Sequence, residues 1–254
     1  MRNNSCLYAY CIINANEKID FTMAGKRIYS IAYRDIAMIA GSFEEGSAVN
    51  RHIDEYALMH EKIAERMMMR FTVLPMRLLT IFPSEEKVLA VLEKHYDVFM
   101  ENFERLLGKA EFGLKVLWPS EKIKEGISSS AIGNPDYGTA SDMSQAKSYM
   151  KEKYAKYKIE EAFLLEAKNH IEFIDKFFSG IVSEKKLMKL QTKRMLLNAS
   201  YLVYHNRHDD LRYAFEKLKK ARPEFYYQFS GPWPTYNFII MKKGKSSLSE
   251  CVKL

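Results

Sequence analysis

A tryptophan held between two prolines near the C-terminus, in Ser230-Gly231-Pro232-Trp233-Pro234-Thr235-Tyr236-Asn237-Phe238, restricts this chain more than any other stretch. The residue before a proline is pushed into extended or polyproline geometry, so Trp233 cannot be helical. Pro232 and Pro234 donate no backbone hydrogen bond, so the segment must interrupt a sheet ladder. Phe225, Tyr227 and Phe229 alternate before it, and Tyr236, Phe238 and Ile240 alternate after it. The stretch therefore reads as a stiff aromatic corner between two strands, with Trp233 plugging a core and those rings clustered around it.

From the N-terminus, Leu7 to Ile13 is apolar on both faces, which suits a strand inside a sheet. Arg27 to Ala32 and Asp35 to Ala40 read as two further strands, with Tyr33-Arg34 as the tight turn between them. Gly41 to Ser47 is a loop on composition. A helix is expected over 51–70 with Asn50 as N-cap and an inward stripe of Ile53, Tyr56, His60, Ile63 and Met67. His60, in the middle of that stripe, reads as a hydrogen-bonded core residue. Phe71 to Arg77 is a strand ended by Pro75. Arg77 could grip a partner carboxylate with its planar fork, or pair with an acid from a nearby helix. Glu85 and Glu86 favour a helix start through the macrodipole. Leu89, Leu92, Tyr96, Phe99, Phe103 and Leu106 then mark one apolar face up to the stop at Gly108. A domain boundary is expected there, giving a first domain over 1–107.

The remainder reads as a second domain, 108–241. Phe112, Leu114, Val116 and Trp118 alternate as a strand ended by Pro119. Residues 121–144 have no period and hold serines, glycines and a proline, so they read as a loop insert. A long helix is expected over 145–178, with Phe163, Ala167, Ile171, Ile174 and Phe178 buried. At its start Tyr149, Tyr154 and Tyr157 interleave with lysines, expected as a solvated face whose tyrosines lie flat on the protein. Leu197, Ala199, Tyr201 and Val203 alternate as a strand, and Leu211, Phe215 and Leu218 mark a helix closed by Arg222-Pro223. Residues 242–254 read, on composition, as a basic, flexible tail.

At 254 residues the chain can bury one large core or two small ones, and with 47% hydrophobic and 28% charged residues it is ordinary for a soluble protein. No apolar run approaches the roughly 20 residues that cross a bilayer, and no cleavage site follows Met1, so a cytoplasmic protein is expected. Residues 1–107 hold 13 basic and 15 acidic side chains, a net −2, against 26 and 17, a net +9, in the rest. That asymmetry suits an anionic partner or a solvated lysine surface. Cys6, Cys11 and Cys251 have no metal spacing and read as reduced; Cys6 and Cys11, an odd number apart, should face opposite sides of a strand. His205 and His208 have no third ligand at a persuasive spacing and read as capping and surface residues. No phosphate loop, metal pair or nucleophile elbow is present, so no catalytic residue, cofactor or metal is expected.

Four segments in order, Leu7-Tyr8-Ala9, Val73-Leu74-Pro75-Met76-Arg77 followed by Thr80, Glu111 with Leu114-Lys115-Val116, and Gly231-Pro232-Trp233-Pro234-x-Tyr236-x-Phe238, together resemble the gas vesicle accessory family GvpL/GvpF. Leu78 and Leu79 stand where the family motif has Phe-Gly. The missing glycine removes easy access to positive φ, so this turn must differ if the family turn needs that geometry. The resemblance implies an α+β protein of two domains, the second like a modified ferredoxin-like fold. It implies a noncatalytic accessory role: binding the small hydrophobic gas vesicle wall protein and other accessory proteins, and helping to nucleate or build the shell. It implies no cofactor, small-molecule substrate or membrane, and a structural role for His60. It makes Leu74, Pro75, Arg77, Gly231, Pro232, Trp233, Pro234, Tyr236 and Phe238 motif residues, structural or partner-contacting. The alternative is a nucleic-acid-binding module, since ferredoxin-like sheets host such modules and the basic second half would attract phosphate. No aromatic ribonucleoprotein-type strand motif supports it.

Overall fold

The computed structural model describes residues 5–44, 53–132 and 145–241; Asn50, residues 133–144, Cys251 and the tail 242–254 lie outside them. By contact the chain divides into two compact units, Met1–Phe112 with Gly231–Leu254, and Gly113–Ser230. The segment after Gly231, which the sequence reading kept in the second domain, thus belongs with the first.

The first unit is built on β1 (Ser5–Ile13), which is paired along both of its edges. Around it lie β2 (Asp20–Met23), β3 (Lys26–Tyr33), β4 (Ile36–Glu44), β5 (Val73–Pro75) and β6 (Ile81–Phe82). Their order is β2-β3-β4-β1-β5, with β6 also on β1, and the paired strands are antiparallel. Every residue from Leu7 to Ile13 is buried, so both faces of β1 are covered, and the run is apolar throughout for that reason. β2, too short and too polar on one side to be read from sequence, turns into β3 through Ala24 and Gly25, both at positive φ (49° and 75°). The β3–β4 turn falls on Arg34-Asp35, one residue beyond the expected place, with Arg34 at φ 54°.

β1 carries a bulge: its register with β4 steps from Ala9↔Ala40 to Cys11↔Ile39, leaving Tyr10 unpaired. The extra residue inverts the alternation. Tyr8, Tyr10, Cys11 and Ile13 share one core cluster, and Cys6 packs against it too. The expectation that Cys6 and Cys11 face opposite sides fails for this reason.

The first helix, α1 (Ile53–Met68), packs on β1 and β5 and buries His60, Ile63, Ala64 and Met67; Ile53, expected in the stripe, is exposed. The single helix expected after Glu85 is two, α2 (Glu85–Lys94) and α3 (Tyr96–Leu106), broken at His95. The break lets α2 follow β3 and β4 while α3 packs on β5, so Val88, Val91 and Leu92 are inward and Leu89 is out.

The second unit takes in β7 (Lys109–Leu117) from Gly113 on, α4 (Ser120–Ile132), α5 (Gln145–Phe178), β8 (Glu184–Leu187), β9 (Met195–Tyr204), a 3-10 turn at His205–Arg207, α6 (His208–Ala221) and β10 (Tyr226–Trp233) up to Ser230. The sheet runs β10-β7-β9-β8. With the chain order strand, helix, strand, strand, helix, strand, this is the split βαβ arrangement of ferredoxin-like folds, modified by α4. Residues 120–132 are helical where a loop was expected. Half-buried Ile123 and Ile127 lie one turn apart, and Lys124 Nζ sits 4.4 Å from the Phe163 ring centre, so packing on α5 overrides the poor propensity of the serines. Within the α5 stripe Ile174 and Phe178 are buried and Phe163, Ala167 and Ile171 half-buried. Tyr149, Tyr154 and Tyr157 are 63–64% exposed, so they do not lie flat as expected.

Candidate functional site

The motif around Pro75 and the motif around Trp233 both fall in the first unit, and each is fixed by buried hydrogen bonds. β5 and β6 lie along one edge of β1, joined by a turn. In that turn Met76 N donates to Tyr10 O and Ala9 N to Thr80 O, both at 2.9 Å. Arg77 O accepts from Thr80 N (3.2 Å) and Thr80 Oγ1 (2.8 Å). Leu79 sits at φ 62°, so the turn keeps left-handed geometry although glycine is gone. That conformation costs an ordinary side chain roughly 1–2 kcal/mol. Leu79 N–H, aimed by it at Tyr8 Oη (3.1 Å), helps offset the strain.

His60 completes this network from α1. Its Nε2 lies 3.0 Å from Met76 O, which can only accept, so Nε2 carries the hydrogen. Nδ1, left with a lone pair, accepts from Tyr8 Oη at 3.0 Å. Both nitrogens are occupied and the ring is 3% exposed, the hydrogen-bonded core role read from the sequence. Burial pushes its pKa down to about 4, partly opposed by the Met76 carbonyl; it pushes Tyr8 up to about 12. Tyr236 comes back over the same place, its ring 6.3 Å from that of His60. Leu74 and Pro75 are buried beneath the turn, whereas Arg77 is exposed. The carboxylate expected for Arg77 from a nearby helix is absent among the described residues.

The strand expected from Tyr236 to Ile240 is not formed; the chain turns there, with Phe238 N donating to Thr235 O at 3.1 Å. Its backbone pairs with side chains instead of a ladder. The buried Glu111 carboxylate accepts from Asn237 N (2.9 Å) and Asn237 Nδ2. Asn102 accepts from Ile240 N (2.8 Å) and donates to Ile240 O (2.9 Å), and the Arg105 guanidinium donates to Phe238 O. Phe238 and Pro234 are buried. Trp233 ends β10 half-buried, not as the core plug expected, and the expected aromatic cluster is divided: Phe229 stacks on Phe215 at 4.4 Å, while Tyr236 faces His60. Gly231, after which the peptide to Pro232 is cis, has φ 119°; a Cβ there would lie 2.7 Å from Glu111 O.

Sequence reading missed Asn102 and Arg105. The signal existed for Asn102, a polar residue between Phe99 and Phe103 on the apolar face of α3. Glu111→Ala is expected to cost about 2–3 kcal/mol, because it removes the buried carboxylate that accepts from two donors of Asn237. Glu111→Gln, which keeps an acceptor, should lose less. Chemical denaturation of the three proteins measures the difference, and equal losses would contradict this account.

Among the described residues no group of three or more His, Cys, Asp or Glu could hold a metal ion, and no helix is long and apolar enough to cross a membrane. Comparison with known proteins points one way. The chain is 23% identical over 252 residues to gas vesicle protein F2 of Halobacterium salinarum, covering 95% of each. It is 22% identical over 245 residues to gas vesicle protein F of Haloferax mediterranei, covering 94% of this chain and 95% of the relative. The crystal structure of GvpF from Anabaena sp. PCC7120 superposes with a TM-score of 0.79 at 18% identity, over 94% of this chain and 99% of that one. GvpF from Microcystis aeruginosa gives 0.75 at 16%, over 93% and 100%. The family described as gas vesicle synthesis protein GvpL/GvpF matches residues 6–239, taking in both motifs, and this chain belongs to that family.

Proposed function

We propose that this gas vesicle accessory protein binds the small hydrophobic protein of the vesicle wall, in the cytoplasm, and presents it to the growing shell without catalysis. The observation that carries this reading is the family match over residues 6–239. The noncatalytic part is supported by the way the titratable groups near the motifs are used. His60 spends both nitrogens on Tyr8 and Met76, and Glu111 accepts two hydrogen bonds from Asn237, so each holds a backbone turn in place. An aggregation-prone subunit needs its apolar surface and strand edges covered until it is incorporated, and a folded partner can do that by contact alone. Co-purification of tagged chain with the wall protein is the test. The pair should persist after chelator treatment and removal of nucleotides. Loss of binding on either treatment, with the melting curve unchanged, would overturn the noncatalytic account; no co-purification at all would overturn the partner.

A further inference from the structure

We infer that the cleft between α6 and β10 seats an extended, acidic segment of a partner protein, added as a strand along β10. The cleft has a volume of about 310 Å³ and is lined by Arg212, Phe215, Glu216, Lys219, Tyr227 and Phe229. The spacing of the four helical residues places them on one face of α6, and Tyr227 and Phe229 share one face of β10. Phe215 stacks on Phe229 at 4.4 Å and meets Tyr227 edge-on at 5.9 Å, which gives the cleft an aromatic floor.

Charge decides what the floor can accept. Lys219 is paired with Glu216 at 3.2 Å and lies over the Phe215 ring, so these two charges offset each other. Arg212 is exposed and has no carboxylate among the described residues. The cleft is left with one planar guanidinium beside an apolar surface, which fits a carboxylate next to an apolar side chain. The backbone decides the shape. β10 ends the sheet, with β7 as its one neighbour among the described residues. A free edge offers N–H and C=O groups at strand spacing, which another extended chain matches, while pockets beside the edge sort its alternate side chains. That the segment comes from a gas vesicle protein rests on the function proposed above; the chemistry of the cleft does not.

The test uses the whole chain and a fluorescent, end-blocked peptide, Glu-Val-Phe-Val-Glu, read by anisotropy. Saturable binding is expected, weakened by about tenfold or more in Arg212→Glu and in a peptide with lysine for glutamate. A backbone N-methylated peptide should lose binding to a similar degree, with the melting temperature of the variant unchanged. Absence of saturable binding to the wild type, or equal binding by all three peptides, overturns the proposal. So does an oligouridylate that binds with the same dependence on Arg212, since that would make the cleft a nucleic-acid site. Co-purification of the wall protein separates the two readings: undiminished capture by Arg212→Glu sinks the cleft and leaves the function, whereas peptide binding without wild-type capture does the reverse.

Discussion

Gly231→Ala is expected to be among the most damaging single changes in the chain, lowering stability by roughly 3–5 kcal/mol. Two independent effects add. The backbone at φ 119° is strained for any L side chain, and the new Cβ would lie 2.7 Å from Glu111 O and 2.8 Å from Phe112 Cδ1. A backbone carbonyl cannot swing away as a flexible side chain could, least of all here, where the same Glu111 holds Asn237. At about 2–4 °C per kcal/mol for a protein of this size, the melting temperature should fall by roughly 10 °C. Gly25→Ala provides the control, since Gly25 has φ 75° and nothing within 4 Å of its added Cβ. It should show strain without collision, a loss of about 1 kcal/mol. If the two variants melt together, the close approach of Gly231 to Glu111 is not what makes the glycine necessary.

The contrast between Gly231 and Trp233 shows how far this sequence is legible. The two prolines announced a stiff segment, and stiffness follows from ring geometry alone. How the chain is held after the tryptophan depends on partners more than a hundred residues away, Glu111 for Asn237 and Asn102 for Ile240, so its course could not be read locally. β1 was recognisable because a strand buried on both faces must be apolar throughout, yet its bulge at Tyr10 has no sequence mark and reversed the expected facing of Cys11. The long helix from Gln145 to Phe178 was readable from its own period. Helix α4 was not, because its serines and glycine argue for a loop and only its seat on α5 makes it helical. Likewise the break at His95 reflects two packing surfaces, β3 with β4 and then β5, that a single apolar stripe cannot reveal. At the candidate site, His60 was readable as a buried histidine from its place in the stripe. Its two acceptor and donor contacts were not, since Tyr8 lies 52 residues away and Met76 16.

The His60 network should make the protein lose stability as the pH falls from about 6.5 to about 4, and by an amount that can be isolated. The folded pKa of about 4 lies below the ordinary 6.5, because burial penalises the imidazolium and because Nδ1 must stay unprotonated to accept from Tyr8. Between these two values the unfolded chain binds a proton that the folded chain refuses. The neutral-state stabilisation is therefore complete above 6.5 and declines towards 4, where the folded protein finally takes up the proton. A separation of about 2.5 units corresponds to roughly 3 kcal/mol over that window. His95, His170 and His208 are also lowered by burial and contribute with the same sign, so the wild-type curve alone cannot assign the loss. His60→Gln removes one titration and leaves those three in place. Its amide can still donate to Met76 O, so the variant should fold, less stable at pH 7 by about 1–2 kcal/mol. Urea denaturation of both proteins at pH 7, 6, 5 and 4 should then give curves that converge or cross on acidification. Parallel curves would mean that His60 titrates alike in both states, and that Tyr8 and Met76 do not hold it neutral.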